Sequence, residues 1–306
     1  MDPNKRKRFW NELLLANDDG DSEKIGKTLR IPEKLYRYRG ISSKSLDALK
    51  DNMLFFSTSD YYDDPFDTYI RFDKEEVKAA CRKLNMYDVI YEEVCGLFHE
   101  VRNMIRKRTW SICFSESFLN ESLWLKYAGN HRGFVLEYEV SDIGTAPFGV
   151  YSPVNCNAMN NCMKNRIIGD SLLPVYYSDK PYDASEYACF VGICYLLEKK
   201  GETNRLNELL QANPYSWEAE RVILIKKLIH RFDEEWRLIL KNTTDVVPGT
   251  IPYKKCVPLR VILGLNINEN DELVVMKNAK QAGIRVVDKV IIDDKDELNT
   301  MRLWRG

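Results

Sequence analysis

The chain has 306 residues, of which 44% are hydrophobic and 30% charged, and it is long enough for one large hydrophobic core or two modest ones. Its formal net charge of -1 provides no overall basic excess, which argues against a nucleic-acid-binding protein. The sequence contains no secretory signal pattern and no apolar run of about 18 residues, so we predict a cytoplasmic protein that does not contact a membrane.

The eight cysteines are spread along the chain without a Cys-x-x-Cys pair, and most lie in apolar helix or strand patterns. This distribution favours reduced, buried thiols over a disulfide framework or a zinc site. The closest pairs, Cys156/Cys162 and Cys189/Cys194, have no neighbouring histidine. We therefore expect no bound metal.

Residues 1–30 are predicted to form an N-terminal helix and leader that precede the main domain. The basic residues 5–8 are expected to be solvated on this helix. A polar break at residues 17–21 follows. The apolar side of the helix is expected to contain Phe9, Trp10, Leu13, Leu14 and Leu15.

A strand, a helix, a second strand and a turn are predicted next. Residues 35–39 alternate as a short strand, and Ser42 or Ser43 is a suitable N-cap for the helix that follows. Residues 54–58 are predicted as the second strand. Residues 63–67, Asp-Asp-Pro-Phe-Asp, predict a turn, because proline fixes φ and keeps the preceding residue out of the helical region.

The remaining pattern mixes helices and strands. Helices are predicted at residues 73–108 with a break at 85–88, at 121–127, 187–200, 206–210, 217–231 and 271–282. Strands are predicted at residues 109–115, 134–138, 175–177, 236–240, 257–265, 284–287 and 289–292. Residues 141–170, rich in Gly, Pro, Ser and Asn, are predicted as a loop or insertion.

These elements predict one α+β domain over residues 31–293, with a core of mixed or antiparallel sheet and helices around it. A helical insertion is expected at about 73–108 and 185–231, and residues 294–306 are predicted as a C-terminal tail. The sequence shows no internal repeat, no low-complexity segment and no linker that divides the chain.

A carboxylate run precedes the predicted strand at 236–240. In an extended chain Asp233 and Glu235 share one face, and Glu234 takes the other. Two carboxylates beside a buried tryptophan are suited to stabilising a cation-like transition state or to binding a divalent metal. The alternative is a surface edge on which Glu235 pairs with Arg237.

Two further strands carry candidate ligand contacts. Arg37 and Arg39 are suited to binding phosphate, and Tyr38 to stacking on a planar ring; the alternative is an amphipathic strand whose arginines meet surface acids. Ser57 and Ser59 can donate hydrogen bonds to a sugar or phosphate, or cap the following turn.

Trp124, Tyr127 and His131 lie on a short aromatic helix and the glycine-flanked turn after it, a position typical of ligand contacts. A structural role for the histidine is the alternative. The sequence contains no GxSxG, P-loop, HExxH or GxGxxG motif, which argues against the hydrolase, P-loop NTPase, zincin and Rossmann classes.

In order, these motifs resemble the bacterial family catalogued as domain of unknown function 2971, over roughly residues 33–290. The resemblance rests on the turn at 63–67, the Trp-Leu-Lys-Tyr-Ala helix at 124–128 and the Glu-Trp-Arg strand at 235–237. One departure is Asp63, where the family more often has Asn. Family members look like accessory proteins of bacterial defence loci, which implies a defence-system partner protein.

The same motifs look like the Arg, Ser-Thr-Ser and Glu-x-Glu elements of ADP-ribosyltransferases. That resemblance implies a fold of this class, with NAD as substrate and an unknown macromolecular acceptor. The resemblance implies that Arg37 binds the pyrophosphate, that Ser57 braces the site near the nicotinamide ribose, and that Tyr38 or Tyr127 stacks on nicotinamide. It also implies that Glu235 stabilises an oxocarbenium-like transition state and that Asp233 orients the nucleophile.

Three hypotheses stay open. The first is an ADP-ribosyltransferase or NAD glycohydrolase that acts as a bacterial defence or toxin-type effector. The second is a metal-dependent nuclease built on Asp63, Asp64, Asp67 and Glu235. The third is a non-catalytic sensor or binding module whose cleft, formed by Trp124, Tyr127 and His131, holds a ligand or a phage protein.

Overall fold

A computed structural model describes residues 1–16, 22–68, 70–84, 88–151, 170–212, 215, 217–240, 246, 249–293 and 301–304. The described strands are β1 (Lys34–Arg39), β2 (Met53–Phe55), β3 (Ser57–Thr58), β4 (Trp110–Ser115), β5 (Phe134–Glu139), β6 (Phe148–Tyr151), β7 (Asp170–Pro174), β8 (Tyr176–Ser178), β9 (Ile225–Lys227), β10 (Glu235–Leu240), β11 (Ile251–Lys255), β12 (Arg260–Leu263), β13 (Val286–Ile292) and β14 (Met301–Trp304).

Helices pack around these strands. They are α1 (Pro3–Leu15), α2 (Ser22–Thr28), α3 (Ser43–Lys50), α4 (Lys74–Lys83), α5 (Asp88–Gly96), α6 (Phe98–Arg108), α7 (Glu121–Lys126), α8 (Val140–Thr145), α9 (Ser185–Lys200), α10 (Thr203–Ala212), α11 (Glu218–Leu224) and α12 (Glu269–Gln281). Short 3-10 helices occupy Ser59–Tyr61 and Leu228–Asp233. In the described residues no helix is both long and apolar enough to cross a membrane.

The central sheet has nine strands in the described part of the chain. Its order is β14-β13-β12-β5-β1-β4-β10-β7, and β3 pairs with β4 beside this path. The β12–β13 pair is parallel, whereas the other pairs of this sheet are antiparallel. The predicted α+β fold with a mixed sheet and surrounding helices is therefore confirmed.

Both faces of the sheet are buried. One face carries the largest apolar cluster, which includes Leu35, Phe114 and Trp236 and is covered by α3 and α12. The opposite face at β1 carries Tyr36 and Tyr38, which pack with α7. Alternation along β1 and β4 produces these two faces, as predicted from the period-two pattern.

The predicted strand at residues 54–58 is split between two sheets. Its first part, β2, pairs with β11 in a three-stranded sheet with β6, whereas β3 pairs with β4 in the central sheet. Phe56 lies between them, with its ring buried and its backbone N–H donated to the Pro252 carbonyl at 2.9 Å. No strand is predicted from the sequence over residues 251–255; β11 contains Pro252, a residue that is uncommon in strand interiors.

The helices α4, α5 and α6 pack against α9, where the periodicity predicts helices. The predicted helix over 217–231 is wrong beyond Leu224. Residues Ile225–Lys227 instead pair in parallel with Tyr176–Ser178, and a 3-10 helix follows. Long-range pairing with β8 here outweighs the local helical periodicity.

The N-terminal segment is anchored to the sheet. Helix α1 buries Phe9, Trp10 and Leu13, whereas Leu14 and Leu15, predicted on its apolar side, are 41% and 71% exposed. The prediction of solvated basic residues is wrong for Arg6, which is 5% exposed and donates hydrogen bonds to the carbonyls of Val175 and Glu235, each at 2.8 Å.

Two predicted irregular segments contain regular structure. Within 141–170, α8 and β6 precede residue 152, and the rest of the predicted loop up to 169 lies outside the described residues. Within the predicted tail 294–306, Met301–Trp304 adds an edge strand to β13. β13 itself is continuous, where two strands were predicted.

Candidate functional site

A cleft opens where two neighbouring strands of the central sheet separate. The structure gives a single register pair between β1 and β4, Tyr36 with Ser115. Further along β4, the edge position is taken by β3, with Ser57 opposite Ser111. The resulting cleft has a volume of about 300 Å³ and is lined by residues of β1, β3, β4 and β10. A cavity of this size lies at the lower end of the usual range for small-molecule sites.

The Asp-Asp-Pro-Phe-Asp turn forms one wall of this cleft. Asp64 accepts a hydrogen bond from the Phe66 backbone N–H at 2.8 Å, which closes the turn predicted from Pro65. The turn directs Asp67 inwards, where its side chain is 5% exposed. Phe66 points outwards and is 54% exposed.

Six of the residues predicted for the site line this cleft. They are Arg37, Tyr38, Ser57, Tyr127, Asp233 and Glu235. The structure thus brings together the arginine strand, the hydroxyl strand and the carboxylate run, which are far apart in the chain.

Ser59, Trp124 and His131 lie outside the cleft lining. Ser59 is 1% exposed and donates to the Arg106 carbonyl at 3.1 Å. Trp124 is fully buried and donates from Nε1 to the Phe118 carbonyl at 2.7 Å, and the His131 ring stacks on it at 5.5 Å. Of the three residues predicted to form an aromatic cleft, Tyr127 lines the cleft described here, whereas Trp124 and His131 pack on one another beside it.

The carboxylate run does not alternate as one strand. Asp233 ends the 3-10 helix, Glu234 adopts a left-handed conformation with φ of 47°, and β10 begins at Glu235. Asp233 and Glu235 nevertheless converge, because both reach the ammonium of Lys226, at 2.9 and 2.8 Å. The predicted proximity holds, although its cause is a shared cation rather than strand alternation.

Arg237 contacts two carboxylates near Lys226, those of Glu235 and Asp67. Its Nε donates to Glu235 at 2.6 Å, and its two terminal nitrogens contact Asp67 at 3.0 and 2.7 Å. The pairing of Glu235 with Arg237, considered as a surface edge, is therefore present, but both side chains are buried. We call Asp67, Lys226, Asp233, Glu235 and Arg237 the charge cluster; its three carboxylates and two cations leave one net negative charge.

The charge cluster keeps Glu235 ionised. Burial alone would raise the pKa of Glu235, but Arg237 and Lys226 hold it well below its ordinary value. Burial would likewise lower the pKa of Lys226, but Glu235, Asp67 and Asp233 raise it above its ordinary value. Burial raises the pKa of the neighbouring Cys113 thiol to about 11, so it remains neutral at physiological pH.

Two arginines on β1 lack such compensation. Arg37 and Arg39 are half-buried in the cleft, and in the described residues neither meets a carboxylate. Arg37 donates one long hydrogen bond, 3.4 Å, to the Phe55 carbonyl, and its other terminal nitrogen is buried without a partner. Burial, and then the charge of Arg39, lower the pKa of Arg37 to about 9. Both groups stay protonated at neutral pH, so an anionic ligand is the natural complement.

The four acidic residues considered as metal ligands, Asp63, Asp64, Asp67 and Glu235, all line the cleft, but the first three pair with different side chains. Asp63 lies 3.9 Å from Lys126, Asp64 lies 3.1 Å from His230, and Asp67 pairs with Arg237. Across the part of the chain that the structure covers, no three Asp, Glu, His or Cys side chains are arranged to hold a metal ion. The nuclease hypothesis therefore gains no support from the geometry.

Sequence reasoning missed Lys226 as a site residue. It lies in the apolar stretch Leu224-Ile225-Lys226, which was predicted as a helix, and no local pattern marks it. Arg39, considered together with Arg37 because the two lie on the same strand face, also lines the cleft.

Comparisons with family models, curated proteins and solved structures give no match for this chain. The resemblance to the domain-of-unknown-function family and to ADP-ribosyltransferases therefore stays a prediction. Any function has to be inferred from the chemistry of the cleft.

Proposed function

We propose that the protein binds NAD in this cleft and breaks the bond between nicotinamide and ribose, transferring ADP-ribose to a macromolecular acceptor or to water. One observation carries the proposal. The cleft combines a buried, ionised carboxylate, Glu235, with two arginines, Arg37 and Arg39, whose charges no carboxylate of the described residues compensates.

The arginines suit the pyrophosphate of NAD. A guanidinium binds phosphate oxygens through paired N–H donors, and two of them can share the two negative charges of a pyrophosphate. The buried nitrogen of Arg37 that lacks a partner would gain one in this complex. Ser57, half-buried on β3, supplies a hydroxyl near the same wall.

The end of the cleft that contains Glu235 and Asp233 is suited to the bond that breaks, between C1′ of the ribose and nicotinamide. When the C1′–N bond breaks, its electron pair leaves with nicotinamide, and the ribose develops oxocarbenium character that a fixed negative charge stabilises. Glu235 would supply that charge, and Asp233 would orient the attacking nucleophile. Tyr127 is 38% exposed and can stack on nicotinamide, whereas Tyr38 is held by hydrogen bonds to Ser117 and Asn120.

The ADP-ribosyltransferase-like fold is part of this proposal. An arginine on β1, a serine on β3 and a glutamate at the start of β10 surround a split in the central sheet, which supports it. The role as a bacterial defence or toxin-type effector, with a defence-system partner, rests on the family resemblance alone.

Nicotinamide release from NAD by the purified protein tests the proposal. We expect turnover that survives EDTA and falls by about 10²-fold or more in Glu235→Gln, because the uncharged amide cannot stabilise the oxocarbenium ion. Glu137→Gln is the matched control, since Glu137 is a buried glutamate that pairs with Arg260 and Lys34 outside the cleft. No release, even with cell lysate as acceptor, would contradict the proposal.

A non-catalytic binding module is the second candidate, and one observation favours it. Both carboxylate oxygens of Glu235 are already engaged, one by Lys226 and the other by Arg237. If this engagement persists in the complex, calorimetry will detect NAD binding that Arg37→Met weakens, without any nicotinamide release. Cleavage of nucleic acid that EDTA abolishes would instead support the nuclease hypothesis.

A further inference from the structure

A two-stranded ribbon outside the central sheet holds Glu235 at two points. Tyr177 of β8 and Lys226 of β9 are register partners in this parallel pair. The Tyr177 hydroxyl accepts a hydrogen bond from the Glu235 backbone N–H at 2.8 Å, and Lys226 Nζ contacts the Glu235 carboxylate at 2.8 Å. The ribbon thus positions both the backbone and the carboxylate of Glu235.

Lys226 separates carboxylates that would otherwise repel one another. Its side chain is 4% exposed, and its ammonium lies 2.8 Å from Glu235, 2.9 Å from Asp233 and 3.9 Å from Asp67. Arg237 pairs with Asp67 and with one oxygen of Glu235, whereas Asp233 pairs with Lys226 and lies 3.9 Å from His230. Without the Lys226 charge, neighbouring carboxylates in this buried site would favour binding a proton.

We propose that Lys226 is a positioning residue that keeps Glu235 ionised and oriented in the cleft, and thereby sets the lower pH limit of activity. The activity readout of this inference rests on the proposed NAD cleavage. Lys226 itself is not required to touch NAD, because its ammonium is already occupied by the carboxylates.

The other charged or titratable groups around Glu235 do not replace Lys226. Arg6 of α1 contacts the Glu235 carbonyl, not its carboxylate. Burial raises the pKa of Cys113 on β4 to about 11 and raises the pKa of Tyr127 after α7, so both are neutral where a carboxylate titrates. Burial also raises the pKa of Tyr177 above its ordinary value.

The pH dependence of nicotinamide release from about pH 2.5 to pH 8, a range that extends well below the ordinary glutamate pKa, tests this role. In Lys226→Met we expect the acid limb of kcat/KM to move upward by about one pH unit or more, the usual effect of removing a close opposite charge. We expect kcat to fall while KM for NAD changes little, since Arg37 and Arg39 are untouched. Lys226→Arg, which retains the charge, should restore part of the acid limb.

Lys254→Met is the matched control. Lys254 is a buried lysine, 1% exposed, that lies on β11 outside the cleft and donates to the Gly144 carbonyl at 3.3 Å. Its replacement should affect stability without moving the acid limb. An acid limb that moves equally in both variants, or in neither, would overturn the inference.

A second measurement does not need turnover. The side-chain carboxyl of Glu235, followed by ¹³C NMR and assigned with Glu235→Gln, should titrate below the ordinary glutamate range in the wild type and about one pH unit higher in Lys226→Met. A wild-type Glu235 that titrates at the ordinary value would overturn the inference even if Lys226→Met does not fold. If the Glu235 carboxyl titrates as expected in both proteins but no nicotinamide is released, the result contradicts NAD cleavage and still supports the role of Lys226.

Discussion

At the scale of single residues, two arginines of the cleft are in opposite situations. Arg237 is 1% exposed and meets both Asp67 and Glu235, whereas Arg37 has one long hydrogen bond to a carbonyl and no carboxylate partner among the described residues. Pairing offsets the desolvation of a buried charge, whereas an unpaired buried charge costs stability. Arg37 is therefore better explained by a ligand than by the fold.

Replacing Arg37 should separate stability from binding. In Arg37→Met we expect the free energy of unfolding to stay within about 0.5 kcal/mol of the wild type or to rise, because an uncompensated charge is removed. The KM for NAD should rise roughly 10-fold or more, the effect of losing a charged hydrogen bond. Urea unfolding and steady-state kinetics measure the two quantities.

Arg260→Met is the comparison for that experiment. Arg260 pairs with Glu137 and Asp288 on the central sheet, away from the cleft. Its loss leaves buried carboxylates without their cation, so we expect a stability loss of about 3 kcal/mol with an unchanged KM. Equal stability losses in both variants would show that Arg37 has a structural partner.

At the scale of elements, helix α1 acts as a support for the carboxylate end of the cleft. Phe9, Trp10 and Leu13 pack in one cluster with Val175 and Ile239, next to β10. Arg6 adds hydrogen bonds to the carbonyls of Val175 and Glu235. The helix thus stabilises the corner where Glu235 enters the central sheet.

Two leucines of α1 provide a test of this support. We expect Leu13→Ala to lower the free energy of unfolding by about 2–5 kcal/mol, because Leu13 is fully buried and its removal leaves a cavity. Leu15→Ala should change it by less than about 0.5 kcal/mol, because Leu15 is 71% exposed. Similar losses of unfolding free energy in Leu13→Ala and Leu15→Ala, measured by chemical denaturation, would contradict the packing of α1.

At the scale of the whole molecule, buried ion pairs link stability to pH. Arg237 and Lys226 lower the pKa of Glu235 against the effect of burial, and Arg260 and Lys34 do the same for Glu137. Below about pH 4.5 the unfolded chain takes up protons at such residues, whereas the folded protein keeps them ionised. Their contribution to stability is therefore complete above that pH and is lost as the pH falls through the lowered values.

Urea unfolding at a series of pH values measures this linkage. We expect the free energy of unfolding to fall steadily from about pH 4.5 downward, with a shallower fall in Glu235→Gln because that variant has one linked carboxylate fewer. An identical slope in the two proteins would mean that Glu235 is not held ionised by its neighbours.

The sequence by itself determined the local elements and the candidate chemistry of several residues. Alternation over residues 35–39 and 109–115 predicted β1 and β4, and the serine at 42 predicted the cap of α3, which accepts the Ser45 N–H. Arginine and glutamate within apolar strands identified Arg37 and Glu235 as candidates. These inferences succeed because strand periodicity and helix capping depend on neighbouring residues.

The tertiary structure alone decided how the site is assembled. Asp67 and Arg237 are 170 residues apart in sequence yet form a two-point ion pair, and Lys226 reaches Glu235 because β9 pairs with β8 instead of continuing a helix. Trp124 and His131, chosen for their aromatic setting, instead pack on one another away from the cleft. Such contacts depend on long-range packing, which no local periodicity encodes.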